Sequence, residues 1–372
     1  NDDYYSKRNP DPEKSKYGML TEIVYPTGGC SVFEFETHDF SKRMSIDRQS
    51  SKDSVSIAGG VRVKSITEYD DESHKKLLKK RTFSYVFPNT STSSGILAIP
   101  PLYGWNHWQQ NIYNSNYSGS IHATIQLDIL QTTSIIPLSN SFGPHIGYSY
   151  VEEKFIDNTK KSYRFSNYSD TDCKDLKSNV TFMTSRPSPY EEYGDRSYRR
   201  GNLLCEIWYN GNGQDVKRIE YEYRSDDFEA NNFVYSTNMC PLVANGIFKT
   251  ITGVVYKLFY PNYNVSKIKE TVKTANGNIV TTKKFEKSDC AINMVSPYSH
   301  KVNVRLLVRD SLSRGSQEIV KTYNYATSTG DASPAAMHIK SMFCLEPFKT
   351  DQYINGHFIE SRTKGYKQIN VV

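Results

Sequence analysis

The chain has 372 residues, enough to bury a sizeable core as one large all-β domain or two smaller ones. Only 37% of the residues are hydrophobic, mean hydropathy is −0.62, and no apolar run approaches the roughly 20 residues that span a bilayer, so no membrane span is expected. The net charge of +6 is spread out; its one dense run, Lys75-Lys76 with Lys79-Lys80-Arg81, comes without a recognition module and argues against nucleic acid as a partner.

The first 17 residues, opening NDDYYSKRNPDPEKSK, are polar and Pro-bearing and read as a flexible linker. No signal peptide is visible, so either a leader has been removed or, as an opening in mid-linker favours, the chain is the C-terminal part of a longer exported polypeptide whose N-terminal portion is missing here. A single repeat-built β domain is expected over 18–372, with a sub-boundary near 170–200.

The recurring unit is a Gly, an alternating aliphatic and Tyr run, a Gly-bearing turn, and a second alternating run that ends in aromatics. Such a hairpin cannot bury its apolar face alone, so copies must stack. Residues 18–40 form the first unit, with Pro26-Thr27-Gly28-Gly29 as its turn. Residues 41–58 are polar and read as a loop or an edge strand. Gly59-Gly60 then opens a second unit, rising through Val61, Val63, Ile66 and Tyr69 to a turn at Asp70–Lys76 and returning through Phe83, Tyr85 and Phe87 in period two. Residues 120–136 hold two short strand candidates. A third unit has its turn at Asp157–Lys160, and 168–200 is rich in loop residues.

The fourth unit, 201–223, is the cleanest. Residues 224–248 read as a polar crossing with a short helix at Val243–Gly246. The fifth, over 254–286, carries Asn276-Gly277, which predicts a type I′ turn. The sixth covers 302–325, and a partial unit closes the chain. The 28 Tyr and 17 Phe suit this plan, because a Tyr ring buries apolar area while its hydroxyl stays wet, and both favour strands. The expected class is all-β: stacked antiparallel β-hairpins in a large twisted, curved sheet with few helices.

Gly-x-Leu-x-x-Ile-x-Tyr-Pro-Thr-Gly-Gly at 18–29 and Gly-Gly-x-Arg-x-x-x-Ile at 59–66 resemble the RHS/YD-repeat surface proteins of Bacteroidetes, as do Arg200-Gly-x-Leu-Leu and Tyr209-Asn-x-Asn-Gly213. The resemblance covers most of 18–325. It implies a spiralling β-sheet able to enclose a cavity, on an exported protein found outside the cell or at its surface. The chain departs from the toxin-encapsulating branch. It lacks the Asp-Pro-x-Gly self-cleavage pair, since Asp11-Pro12 continues Glu-Lys, so autoproteolysis is not implied.

Catalytic motifs are missing: there is no phosphate loop, no Gly-x-Ser-x-Gly and no His-Glu-x-x-His. Ser73-His-Lys-Lys76 matches Ser-x-x-Lys but falls at the tip of a polar turn. The six Cys have no metal-site spacing and read as isolated buried thiols, with one or two disulfides as the alternative in a secreted chain. Asp170, Asp172 and Asp175 put three carboxylates in six residues, which reads first as a solvated acidic loop and second as a set of oxygen ligands for calcium, although the Gly and later Glu of a calcium loop do not follow; no other cofactor is implied. A cluster of Tyr190, Tyr193 and Tyr198 with Glu191, Glu192, Asp195, Arg196, Arg199 and Arg200 reads as a salt-bridged loop.

The most informative stretch is Pro100–Tyr117. Tyr103, Trp105, His107, Trp108 and Tyr113 interleave with Asn106 and Gln109, and flat aromatics beside amides match the C–H faces and hydroxyls of a sugar. Plugging of a sheet opening by the two Trp outweighs that, and contact with a surface protein is a third use. The function expected is a non-enzymatic scaffold or adhesive protein. The alternative is a glycan-binding module using 103–117, and the distant alternative a polysaccharide-degrading enzyme.

Overall fold

A computed structural model describes residues 8–26, 28–113, 121–134, 144–178, 180–181, 193–224, 228–230, 232–244, 247–259, 263–293, 301–325, 347 and 349–363. Side chains are described throughout these except at 105–113, 121–129, 180–181, 228, 238–244, 247–253, 289–293 and 301–305. The protein is all-β: strands account for 61% and helix for 5%, and among the described residues no helix reaches seven residues. Among the described residues, no helix is long and apolar enough to cross a membrane.

In chain order the strands begin with β1 (Glu22–Val24), β2 (Cys30–Met44), β3 (Ser51–Tyr69), β4 (Leu77–Ser84), β5 (Gly95–Leu97), β6 (Gly104–Tyr113) and β7 (Ile121–Leu130). There follow β8 (Ile146–Tyr148), β9 (Tyr150–Phe155), β10 (Lys160–Phe165), β11 (Val180–Thr181), β12 (Leu203–Tyr209), β13 (Asp215–Tyr223), β14 (Phe233–Ala244) and β15 (Ile247–Phe259). The last six are β16 (Val265–Thr274), β17 (Gly277–Asn293), β18 (Lys301–Arg314), β19 (Gln317–Asn324), β20 (Lys349–Ile354) and β21 (His357–Thr363). The chain packs as two compact units, Asn1–Leu203 with Asp227–Pro261, and Leu204–Asp226 with Asn262–Val372.

In the first unit the strand order is β10-β9-β4-β3-β2-β5-β8, with β1 also on β2. Neighbours are antiparallel except β2 and β5, which run parallel. The three-residue β5 is buried on both faces, so it joins two clusters at once. Ile96 packs with Met44, Ala98, Ile99 and Tyr168, and the next residue, Leu97, packs with Phe40, Ala58 and Ile146. Gly95 opens this strand because nothing larger fits: a Cβ there would lie 2.3 Å from the Asp39 carbonyl oxygen. Strands β6 and β7 form a separate ribbon, and β11, β15 and β14 a three-stranded sheet.

Of the two readings of 41–58, the strand holds on both sides of a turn. Strands β2 and β3 pair from Cys30↔Tyr69 to Met44↔Ser51, and the chain turns only at 45–50. Gly59-Gly60 does not open a unit; it is an insertion inside β3, bracketed by Thr37↔Val61 and His38↔Ala58. The helix expected at Val243–Gly246 is overturned where it is described, since Val243 and Ala244 pair with Phe248 and Ile247 across β14 and β15.

The second unit is an antiparallel run of hairpins in the order β12-β13-β16-β17-β18-β19-β20-β21. Its buried hydrophobic side chains, among the described residues, are Cys205, Leu306, Val320 and Tyr325. Cross-strand pairs therefore carry much of its cohesion. On β13 and β16, Glu222 faces Lys267 at 2.7 Å, Glu220 faces Lys269 at 3.7 Å, and Lys217 reaches Glu270 at 2.9 Å. The turn between β16 and β17 is not type I′: Thr274 pairs with Gly277, and only Gly277 takes positive φ, at 115°.

Candidate functional site

The densest group of perturbed side chains lies on β2 and β3 of the first unit, around Arg62. Arg62 pairs with Glu36 in the ladder, and its guanidinium reaches along β2. Nε donates to Glu36 Oε1 at 2.7 Å, while Nη1 and Nη2 donate to the two Asp39 oxygens at 2.7 and 2.8 Å. Nη1 also donates to Tyr148 Oη at 2.8 Å, and the guanidinium stacks 4.3 Å from the Tyr85 ring. Tyr85 is fixed in turn by donation to the Val63 carbonyl at 2.7 Å. His38 Nδ1 and Tyr148 Oη share a hydrogen bond of 2.9 Å, and the His145 ring meets His38 edge-on at 5.7 Å.

The Gly59-Gly60 insertion makes room for this group. Gly60 takes φ +86°, and a Cβ there would approach His38 Cδ2 to 3.4 Å. Electrostatics follow from enclosure. Burial, helped by His145 and Arg62, lowers His38 to about 4, so it is neutral at pH 7. Burial raises Tyr85 and Tyr148 to about 12. Burial alone would raise the Asp39 carboxyl, but hydrogen bonds from Arg62 and Ser93 outweigh it and hold the group below its usual range. A neutral imidazole beside a phenol has the makings of an acid-base pair. Here the phenol keeps its proton and serves as a hub: it accepts from Arg62 and donates to the Asp39 carbonyl.

A second charged group ties the 168–200 loops together. Asp175, 5% exposed, accepts from Arg200 at 2.8 Å, from Arg48 at 3.3 Å and from the Arg196 backbone N–H at 3.0 Å. Arg200 also donates to Asp195 at 3.0 Å and stacks 4.5 Å from the Tyr168 ring. Arg48 stacks over Tyr193 at 4.6 Å. Glu229 accepts from Arg196, Arg199 and Tyr198. Burial would raise the Glu229 carboxyl; these donors, Tyr198 and Arg196 foremost, lower it instead. The cavity lined by Arg48, Tyr168, Asp175 and Arg200 measures about 10 Å³, room for about one water.

The carboxylates considered for calcium part company. Asp170 accepts from the Asn167 backbone N–H at 2.8 Å, Asp172 sits in a 3₁₀ turn, and Asp175 is engaged by two guanidinium groups. Among the described residues the one group of three His, Cys, Asp or Glu side chains with ligand atoms within 4.8 Å of each other is elsewhere, at Glu22, Cys30 and His74. Ser73 of the Ser-x-x-Lys match donates its hydroxyl to Asp71. Glu191, Glu192 and Tyr190 lie outside the described residues.

Of the aromatic stretch, Tyr103 is half-buried with Arg8 stacked 5.0 Å from its ring. The backbones of Trp105, Asn106, His107, Trp108, Gln109 and Tyr113 form β6, and their side chains lie outside the described set. The ribbon register is informative. Trp105 pairs with Ile129, Asn106 with Asp128 and Trp108 with Leu127, so one extra residue, His107, is inserted in β6. The two Trp, three apart in sequence, thus occupy successive odd-numbered positions opposite β7, in one phase of the strand alternation.

Sequence reasoning missed the Arg62 group, although Arg62 stands in the quoted Gly-Gly-x-Arg-x-x-x-Ile stretch. Its partners Glu36, Asp39, Tyr85 and Tyr148 come from separate segments and leave no local spacing. Neither a protein-family model nor a curated protein sequence matches this chain.

Proposed function

We propose that this protein is a non-enzymatic scaffold or adhesive element, exported and displayed at the cell surface or outside it, and a portion of a longer RHS/YD-repeat-like polypeptide. The observation that carries the reading is where the polar chemistry goes. The buried arginines Arg62 and Arg200 direct their donors at carboxylates and a phenol of the same unit, and the cavity at Arg200 accommodates about one water rather than a substrate. Charged networks that direct most of their donors inward stabilise a fold and leave little to bind or transform a ligand. The hairpin ladder of the second unit, with its cross-strand Lys and Glu pairs and half-buried Tyr, suits a surface exposed to water along its length. The test is protease shaving and antibody labelling of intact cells of the native host. The reading predicts labelling and release of fragments from intact cells; protein reached only after lysis would overturn it.

A second reading, glycan recognition, is favoured by the β6 register. The insertion at His107 brings Trp105 and Trp108 into one phase of the strand, which a regular strand would deny to residues three apart. Two aromatic positions in line match successive sugar rings, and substituting both tests that reading.

A further inference from the structure

We propose that Glu22, Cys30 and His74 form a binding site for a borderline divalent transition ion of the zinc type. The three side chains come from β1, the first residue of β2 and the turn between β3 and β4, yet their ligand atoms lie within 4.8 Å of one another. They offer one thiol sulfur, one imidazole nitrogen and one carboxylate oxygen. That mixture suits zinc, whereas calcium and magnesium take oxygen alone.

The site is built rather than incidental. Cys30 is 2% exposed and its thiol donates to the Asp71 carbonyl at 3.3 Å, so a fourth donor atom, an oxygen, stands beside the sulfur. His74 holds φ +56°, unusual for a residue with a Cβ. Its backbone N–H donates to the Asp71 carbonyl at 3.3 Å, its ring stacks on Tyr69 at 4.7 Å, and its Nε2 meets Glu22 Oε1 at 2.9 Å. Gly29, at φ +78°, brings the β1–β2 turn against the Tyr69 carbonyl, and the next residue, Cys30, pairs with Tyr69 in the β2–β3 ladder.

On binding, the Cys30 S–H bond breaks, the proton leaves to solvent, and the sulfur gives its electron pair to the metal. His74 and Glu22 exchange their mutual hydrogen bond for metal bonds, and the fourth position is left to the Asp71 carbonyl or a water. The ion would pin the three-residue edge strand β1 to the far end of the β3–β4 hairpin. The inference is independent of the scaffold reading.

Co²⁺ titrated into the full chain tests it. The expected result is one equivalent bound, a near-ultraviolet sulfur-to-cobalt charge-transfer band with intense tetrahedral visible bands, and release of about one proton per ion. Zn²⁺ should displace the cobalt and raise the melting temperature. Cys30→Ser should abolish the charge-transfer band. His74→Ala, at a half-exposed position, should melt like the parent without metal and bind at least about 100-fold more weakly, the upper end of what outer-shell partners cost. A cobalt complex without the sulfur band, or undiminished binding by a folded His74→Ala, would overturn the site.

Discussion

Arg62 and Asp39 meet as a bidentate pair, Nη1 on Oδ1 at 2.7 Å and Nη2 on Oδ2 at 2.8 Å. The arginine is 8% exposed and the carboxylate 37%, so the pair is half-screened. Arg62→Lys keeps the charge and loses the fork and the stacking on Tyr85, and should lower stability by about 1–2 kcal/mol. Arg62→Met should lower it by about 2–3 kcal/mol, because Glu36 and Asp39 then lose their cation. In a double-mutant cycle with Asp39→Asn, urea unfolding should give a coupling of about 1 kcal/mol or more. Additive effects would mean the pair contributes nothing to stability.

The His38 imidazole makes the first unit acid-sensitive. Its folded pKa of about 4 lies below the unfolded value of 6.5, so the unfolded chain binds more protons between these limits. The contribution of His38 is complete above pH 6.5 and is lost as pH falls toward 4. After allowance for partial solvent exposure the loss should be on the order of 1–2 kcal/mol. His38→Gln should flatten that part of the stability profile. A proton-exchange titration that finds His38 charging near 6.5 would refute this.

Asp175 holds two buried cations, and Asp175→Asn should cost about 3 kcal/mol by leaving Arg48 and Arg200 short of charge. Its chelation by arginine also bears on calcium, which would have to displace both guanidinium groups to use Asp175. Saturating Ca²⁺ should leave the melting temperature of the full chain unchanged. A rise that vanishes in Asp172→Asn would place calcium on that loop after all.

Gly95→Ala should be disproportionately damaging for one methyl group. Its Cβ would sit 2.3 Å from a backbone oxygen of β2, in the strand that links both clusters of the first unit. A loss of about 2–4 kcal/mol is expected by urea unfolding, against about 1 kcal/mol or less for Gly213→Ala, whose Cβ meets nothing within 4 Å and whose strain is only its positive φ.

The hairpins were legible where alternation and turn chemistry agreed. Val61 to Phe87 and 201–223 read as strand, turn, strand because their aromatics recur every second residue around polar or glycine-bearing turns. The polar extension of β2 and β3 was not legible, since Val55 is 88% exposed and its neighbours are Ser, Lys and Asp. Backbone pairing holds that ribbon without a hydrophobic pattern to announce it. Gly59-Gly60 misled for the same reason, because a glycine pair marks a turn in sequence and an insertion in a ladder equally well. The charged groups were the least legible. Arg48 and Asp175 are 127 residues apart, and Arg199 and Glu229 are 30 apart. Only the fold brings them together. The local half of that cluster, Asp195 with Arg200, was visible as a salt-bridged loop.

The most direct test of the scaffold account is a titration of the full chain with a panel of polysaccharides, followed by intrinsic tryptophan fluorescence. Two of the three tryptophans, Trp105 and Trp108, lie on β6, and the third, Trp208, lies on β12 and serves as background. The account predicts a flat response across the panel from protein that is folded by circular dichroism, with no new reducing ends in any incubation. A saturable shift with one glycan class, lost in a folded Trp105→Ala/Trp108→Ala variant, would contradict it and establish the chain as a glycan-binding module.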